Sequence, residues 1–109
     1  FYPTRANFIA VVSNLRNWDL VRQVQRDMQM GAEIEVCKLS APAMVPGVGL
    51  SDHSSYWKFG FPAVMITDTA FYRNPNYHHC SDTIETLDFK KMSQVVQAVV
   101  AHLMAQQQR

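Results

Sequence analysis

The stretch NFIAVVSN, residues 7–14, holds an unbroken apolar run from Phe8 to Val12 between asparagine-bearing ends. Nothing in it alternates, so a strand built from it has no wet face and must be covered on both sides. PAVMITDT repeats the pattern, with a second continuous apolar strand at 63–67. Two such strands exclude a single sheet with one face in water. They require helices on both sides of the sheet.

The helices follow from spacing. In NWDLVRQVQRDMQMG, Leu20, Val21, Val24 and Met28 recur at helical intervals, with Arg22, Gln25 and Arg26 on the wet side. Asn17 is the expected N-cap and Gly31 the stop. EIEVCKL sets Ile34 and Val36 against Glu33, Glu35 and Cys37, the pattern of a half-buried or edge strand. Proline and glycine then gather at 40–50, a surface loop. SDHSSYWKFG reads as a short helix capped by Ser51 or Asp52 and ended by Gly60. Residues 70–86 lack a regular pattern, yet carry Phe71, Tyr72, Arg73, Tyr77, His78 and His79. The last element is a helix over 88–105, capped by Asp88, with Phe89, Met92, Val96, Val99 and Leu103 as the stripe expected to pack on the sheet.

The order β-α-β-loop-α-β-loop-α predicts an α/β fold with α/β/α layers. Three strands make a thin sheet for two strands that need cover on both faces. Residues 1–109 are therefore read as one domain that forms the C-terminal portion of a larger one. The start at Phe1-Tyr2-Pro3, with neither an initiator methionine nor a signal-peptide pattern, fits a piece of a longer chain. Ten basic residues against nine acidic ones, without clustering, argue against a nucleic-acid or membrane-surface partner. Cys37 in a strand and Cys80 in a loop permit one disulfide, but unpaired thiols are the simpler reading.

The loops flanking the 63–67 strand are where an open α/β sheet builds its sites. They hold His53, His78 and His79, whereas His102 reads as an ordinary helix-surface residue. Adjacent histidines in an extended loop point apart, so one at most reaches a given ion. A zinc site needs at least three protein ligands from separate elements. His53, His78, Asp52, Asp68 and Asp82 are the candidates, with no His-x-x-x-His spacing to organise them, and spacing alone leaves a solvated pair as the default. SDHSS offers serine, aspartate and histidine, but immediate neighbours cannot form a relay and there is no Gly-x-Ser-x-Gly elbow.

The run SDHSSYWKFGFPAVMITDTAFYRNPNYHHCSDTIETLDFKKM resembles the C-terminal part of the M28 zinc peptidases, in the bacterial aminopeptidase-like branch. The features shared are a Ser-Asp-His loop before an aromatic helix, a Pro-Ala-Val strand ending Thr-Asp-Thr, and an Asn-Pro…Tyr-His…Ser-Asp-Thr loop before Leu-Asp. The resemblance implies a fragment of the mixed sheet of the zinc-exopeptidase (phosphorylase/hydrolase-like) type, and a parent enzyme that removes N-terminal residues from peptides. It implies His78 as the family's last zinc ligand and Tyr77 as the hydrogen-bond donor to a developing oxyanion. His79 stands where relatives often carry a small polar residue, and Cys80 where they often carry proline. Asp82 is implied as an acceptor that braces the ligand or its loop, and Ser51, Asp52 and His53 as residues near the substrate pocket. The family's two zinc ions also need a His-x-Asp pair, a Glu-Glu pair and a further aspartate, which normally lie upstream, and this chain has neither pair. The expectation is an incomplete site, inactive alone. Glutaminyl cyclases of the same superfamily tend to carry Asp, His and Trp where this chain has Ser51, Met65 and Tyr77, which favours the peptidase. By the same resemblance the parent is secreted or periplasmic. A non-catalytic, self-associating module is the alternative, and the fragment is expected to form a homo-oligomer by edge pairing or exchange of elements.

Overall fold

The computed structural model describes residues 7–42, 49, 51–68 and 74–109. Most of the proline- and glycine-rich loop at 40–50, and Phe71, Tyr72 and Arg73, lie outside the described residues. The elements are β1 (Phe8–Ser13), α1 (Trp18–Met30), β2 (Glu35–Ser40), α2 (His53–Lys58), β3 (Met65–Thr67) and α3 (Phe89–Gln107), with short 3-10 turns before α1 and α3.

β1 is the central strand. It pairs in parallel with β2, Ile9 opposite Val36, and antiparallel with β3, Val11 opposite Ile66. The sheet is therefore mixed, in the order β2-β1-β3. All six residues of β1 are buried, as an apolar run without alternation requires. Ile9 and Val11 face one way, into a core shared with Val21, Val24 and Met28 of α1 and Ala98 of α3. Phe8, Ala10 and Val12 face the other way, against Cys37, Ala41, Met65 and Trp57 of α2. The result is the expected α/β/α arrangement, with α1 and α3 on one face and α2 on the other.

Local details follow the sequence closely at the caps. Asp88 accepts from the Lys91 backbone N–H at 3.0 Å and starts α3. Gly60, at φ +81, turns the chain out of α2. α1 ends at Gly31, whose N–H bonds back to the Met28 carbonyl at 3.2 Å. Gln25, expected on the wet side, instead donates to the Val36 carbonyl at 2.7 Å. Gln29 accepts from the Val36 N–H at 2.8 Å and donates to the Ile34 carbonyl. Two glutamines of α1 thus cover the outer backbone edge of β2 at Val36, which an edge strand would otherwise leave to water. Cys37, expected on the outer side of β2, is buried in the second core, and neither it nor the exposed Cys80 is in a disulfide.

The stripe expected for α3 is corrected by the structure. Phe89, Met92, Val96 and Leu103 are 48–61% exposed. The helix instead turns Val95, Ala98 and Val99 inward. It lies on α1 more than on the sheet, and Ala101 is small enough to let the two helices approach at Gly31. A larger stripe would hold them apart.

Candidate functional site

The segment from Asn74 to Asp82 is a chain of consecutive turns rather than an extended loop. The Asn74 side chain accepts from the Asn76 N–H at 2.9 Å, and the Asn74 carbonyl accepts from the Tyr77 N–H at 3.2 Å. The His79 N–H bonds to the Asn76 carbonyl at 2.9 Å and the Asp82 N–H to the His79 carbonyl at 3.0 Å. Asparagine suits this work because its side chain can bond to the backbone two residues on.

These turns hold His78 in an uncommon state. Its φ is +58, a left-handed conformation that no other non-glycine residue adopts among the described residues. For an L-residue that region costs on the order of 1–2 kcal/mol. Glycine or asparagine would sit there at lower cost, and the chain carries histidine. The Tyr77 ring stacks on the imidazole, with centroids 3.9 Å apart and planes at 18°. His78 is exposed and Tyr77 half-buried, so the pair offers an imidazole to solvent with a phenol beside it.

The remaining expected site residues are placed as follows. Asp82 is exposed and fixes the turn through its backbone N–H. Ser51 and Asp52 are exposed before α2, and the Ser51 carbonyl accepts from the Ser54 hydroxyl at 2.8 Å. His53 is buried and meets the Trp57 ring edge-on, centroids 4.6 Å apart at 86°. Trp57 in turn donates its indole N–H to the Ala63 carbonyl at 3.0 Å, and the Ser13 hydroxyl donates to the same oxygen at 2.6 Å. This ties the Ser-Asp-His loop to the start of β3. Tyr77 and His78 are brought together, while Ser51, Asp52 and His53 belong to a separate helix start.

Among the described residues, no three His, Cys, Asp or Glu side chains converge on a point where a metal ion could sit. One exposed imidazole is a fit for a single coordination position and not for a site.

Sequence reasoning missed a second polar cluster. Asp27 is buried on α1 and accepts two hydrogen bonds from Arg109, at 2.7 and 2.9 Å, and meets His102 Nδ1 at 2.8 Å. The Arg109 hydrogen bonds hold the Asp27 carboxyl below the usual carboxylate range, against its burial and with help from His102. The signal was available: position 27 falls on the buried stripe of α1, between Val24 and Met28. His102 is accordingly a tie between helices, not the ordinary surface residue expected. Also unforeseen is a groove of about 650 Å³ between β3 and α3, floored by Ile9 and Ile66 and walled by Met92, Val95 and Val96, with Asp68 and Asn74–Asn76 at one end.

Comparison with known proteins bears on these features. The family model for peptidase family M28 matches residues 3–104. The chain belongs to peptidase family M28. It is 44% identical over 102 residues to the uncharacterized protein YfbL of Escherichia coli K12, covering 94% of this chain and 32% of that protein. It is 49% identical over 47 residues to a probable leucine aminopeptidase of Arthroderma benhamiae, covering 42% of this chain and 13% of that one. Leucine aminopeptidase 1 of Ajellomyces dermatitidis is 41% identical over 49 residues, 44% of this chain and 13% of the relative. The M28 chain thus spans about a third of YfbL and matches a smaller share of the aminopeptidases. No solved structure matches it.

Proposed function

We propose that this chain is the C-terminal part of a zinc-dependent aminopeptidase that hydrolyses the first peptide bond of its substrates, and that it supplies His78 as one zinc ligand and Tyr77 as the oxyanion donor. The observation that carries the reading is the left-handed backbone at His78. Strain of that kind persists where surrounding structure over-determines it, and it gathers at functional sites. Here the asparagine turns hold the strained residue, and the strain directs an imidazole outward.

Zinc, when bound, supplies Lewis acidity toward a substrate carbonyl. The chain's own contribution is positional. Tyr77 is held by stacking against His78, so its phenol O–H stays beside whatever the imidazole binds. A donor fixed there can stabilise negative charge that appears on the carbonyl oxygen only in the transition state. Asp82 braces the turn, and the Ser51–His53 segment, tied to β3 through Trp57, borders the substrate. Family membership and the aminopeptidase relatives support the reaction class. The other ligands and the glutamate base belong to the rest of the parent protein, and the chain alone is inactive. The same reading makes the parent secreted or periplasmic.

The test is made in the full-length parent protein. His78→Ala is expected to abolish release of an N-terminal residue from a peptide and to lower the zinc content. Tyr77→Phe is expected to retain zinc and lower kcat by about 100- to 1,000-fold, the usual loss on removing one oxyanion donor. Full activity in His78→Ala would sink the proposal.

A further inference from the structure

Ser13 ends β1 and is the one polar residue in a strand of six. It is fully buried, and a buried hydroxyl is costly unless it is hydrogen-bonded. Its partner is the Ala63 carbonyl, which accepts from the Ser13 hydroxyl at 2.6 Å and from the Trp57 indole N–H at 3.0 Å. The β1–β3 ladder begins beyond Ala63, with Met65 opposite Val12. Two side chains therefore hold the chain at a point ahead of the ladder, and they fill both lone pairs of one oxygen.

Ser13 is a rigid anchor. Its own carbonyl accepts from the Ala41 N–H at 3.1 Å, and the Asn14 carbonyl accepts from the Ser40 hydroxyl at 2.6 Å. The end of β1 is thus fastened to the end of β2 on one side and to the approach to β3 on the other. A group fixed on the sheet in this way holds its partner more precisely than one carried by a loop.

Trp57 transmits that position to α2. Its ring packs against the second core, as a phenylalanine could. The indole N–H adds direction, because it bonds at one edge of the ring only. His53, one turn earlier and buried, meets the same ring edge-on, with centroids 4.6 Å apart. The carbonyls of Ser51 and Asp52 accept from the Ser54 and Ser55 N–H groups, each at 3.1 Å, so these two exposed residues are continuous with the first turn of α2. Turning the indole would carry all three with it.

We infer that Ser13 and Trp57 are positioning residues for peptide binding, acting through the shared Ala63 carbonyl to place the Ser51–His53 segment. The inference rests on the reading of that segment as the border of the substrate. Ser13 has no exposed surface and touches no substrate. Its effect reaches the peptide through Trp57 and α2, and so falls on KM.

The experiment uses the full-length parent enzyme with a peptide substrate and compares Ser13→Ala, Trp57→Phe and the double variant. Each single variant leaves the Ala63 oxygen one donor and should raise KM about twofold to tenfold, the worth of one hydrogen bond. The double variant leaves it none, so KM should rise by more than the product of the two single effects. The kcat and the zinc content should stay at the values of the unsubstituted enzyme. A purely structural role predicts the opposite split, since loss of folded enzyme lowers the apparent kcat and leaves KM unchanged. If Trp57→Phe loses helix in far-UV circular dichroism, Ser13→Ala decides through the same split. An unchanged KM, or a double variant at or below the product, in a parent that His78→Ala inactivates overturns this inference and leaves the reading of the zinc site intact. A parent without peptidase activity overturns both.

Discussion

Gly31 and Ala101 bring α1 and α3 into close contact: a Cβ on Gly31 would overlap the Cβ of Ala101. Gly31 has φ −104, so its backbone does not need glycine, and the requirement is purely steric. Gly31→Ala must therefore push the helices apart and should destabilise by about 1–3 kcal/mol, the usual cost of overpacking. Ala101→Gly removes the opposing methyl. The double variant is expected to recover much of the loss in urea denaturation, and strict additivity of the two changes would refute direct contact.

The cluster at Asp27 predicts an acid limb in the stability profile. Its carboxyl titrates lower in the folded chain than in the unfolded one, chiefly because of Arg109. A depressed folded value contributes stability that is fully present above the unfolded value, about 3.9. That contribution is lost as pH falls below about 4 and through the folded value. Asp27→Asn should lower stability at neutral pH by about 1–3 kcal/mol, the cost of weakening a buried charge-assisted network. It should also flatten the profile below pH 4. An acid limb as steep as that of the parent chain would show that other carboxylates set it.

Strand β1 was legible in the sequence because five apolar residues in a row leave one structural solution. The caps at Asp88 and Gly60 were legible because each rests on local chemistry. The inward face of α3 was not. By size and hydropathy Phe89, Met92, Val96 and Leu103 are the better core residues, but α3 meets α1 through small residues, Ala101 lying against a glycine 70 positions earlier. Asp27 was hidden because an aspartate on an apolar stripe looks like an irregularity until its partners at 102 and 109 are in place. At the candidate site, the pairing of Tyr77 with His78 could be named from the motif. The left-handed backbone beneath it depends on turn bonds from Asn74 and Asn76, which spacing does not encode.

The two faces of α3 can be separated by a pair of substitutions. Ala98 is fully buried, and Val96, one turn face away, is 61% exposed. Ala98→Asp should cost about 3 kcal/mol or more, since it buries an unpaired charge. Val96→Asp, measured at concentrations where the chain is monomeric, should change stability by about 0.5 kcal/mol or less. Equal losses from the two in thermal denaturation would mean that the helix is rotated from the orientation described.

Zinc binding by the chain alone should be weak and should pass through His78. The two histidines are neighbours, but only His78 has the left-handed backbone and the Tyr77 ring stacked on it, so its imidazole is the better-fixed donor. His78→Ala should lower the affinity for zinc several-fold, as read by isothermal titration, while His79→Ala leaves it nearly unchanged. His78→Gly separates binding from folding. It relieves roughly 1 kcal/mol of left-handed strain and adds a comparable entropy to the unfolded chain, so stability should stay within about 1 kcal/mol of the parent. A ligand lost without a loss of stability is the behaviour of a residue kept for its chemistry. A large drop in stability in His78→Gly would instead make the imidazole a packing element of the turn, and stoichiometric tight zinc binding by the unsubstituted chain alone would contradict a site completed elsewhere.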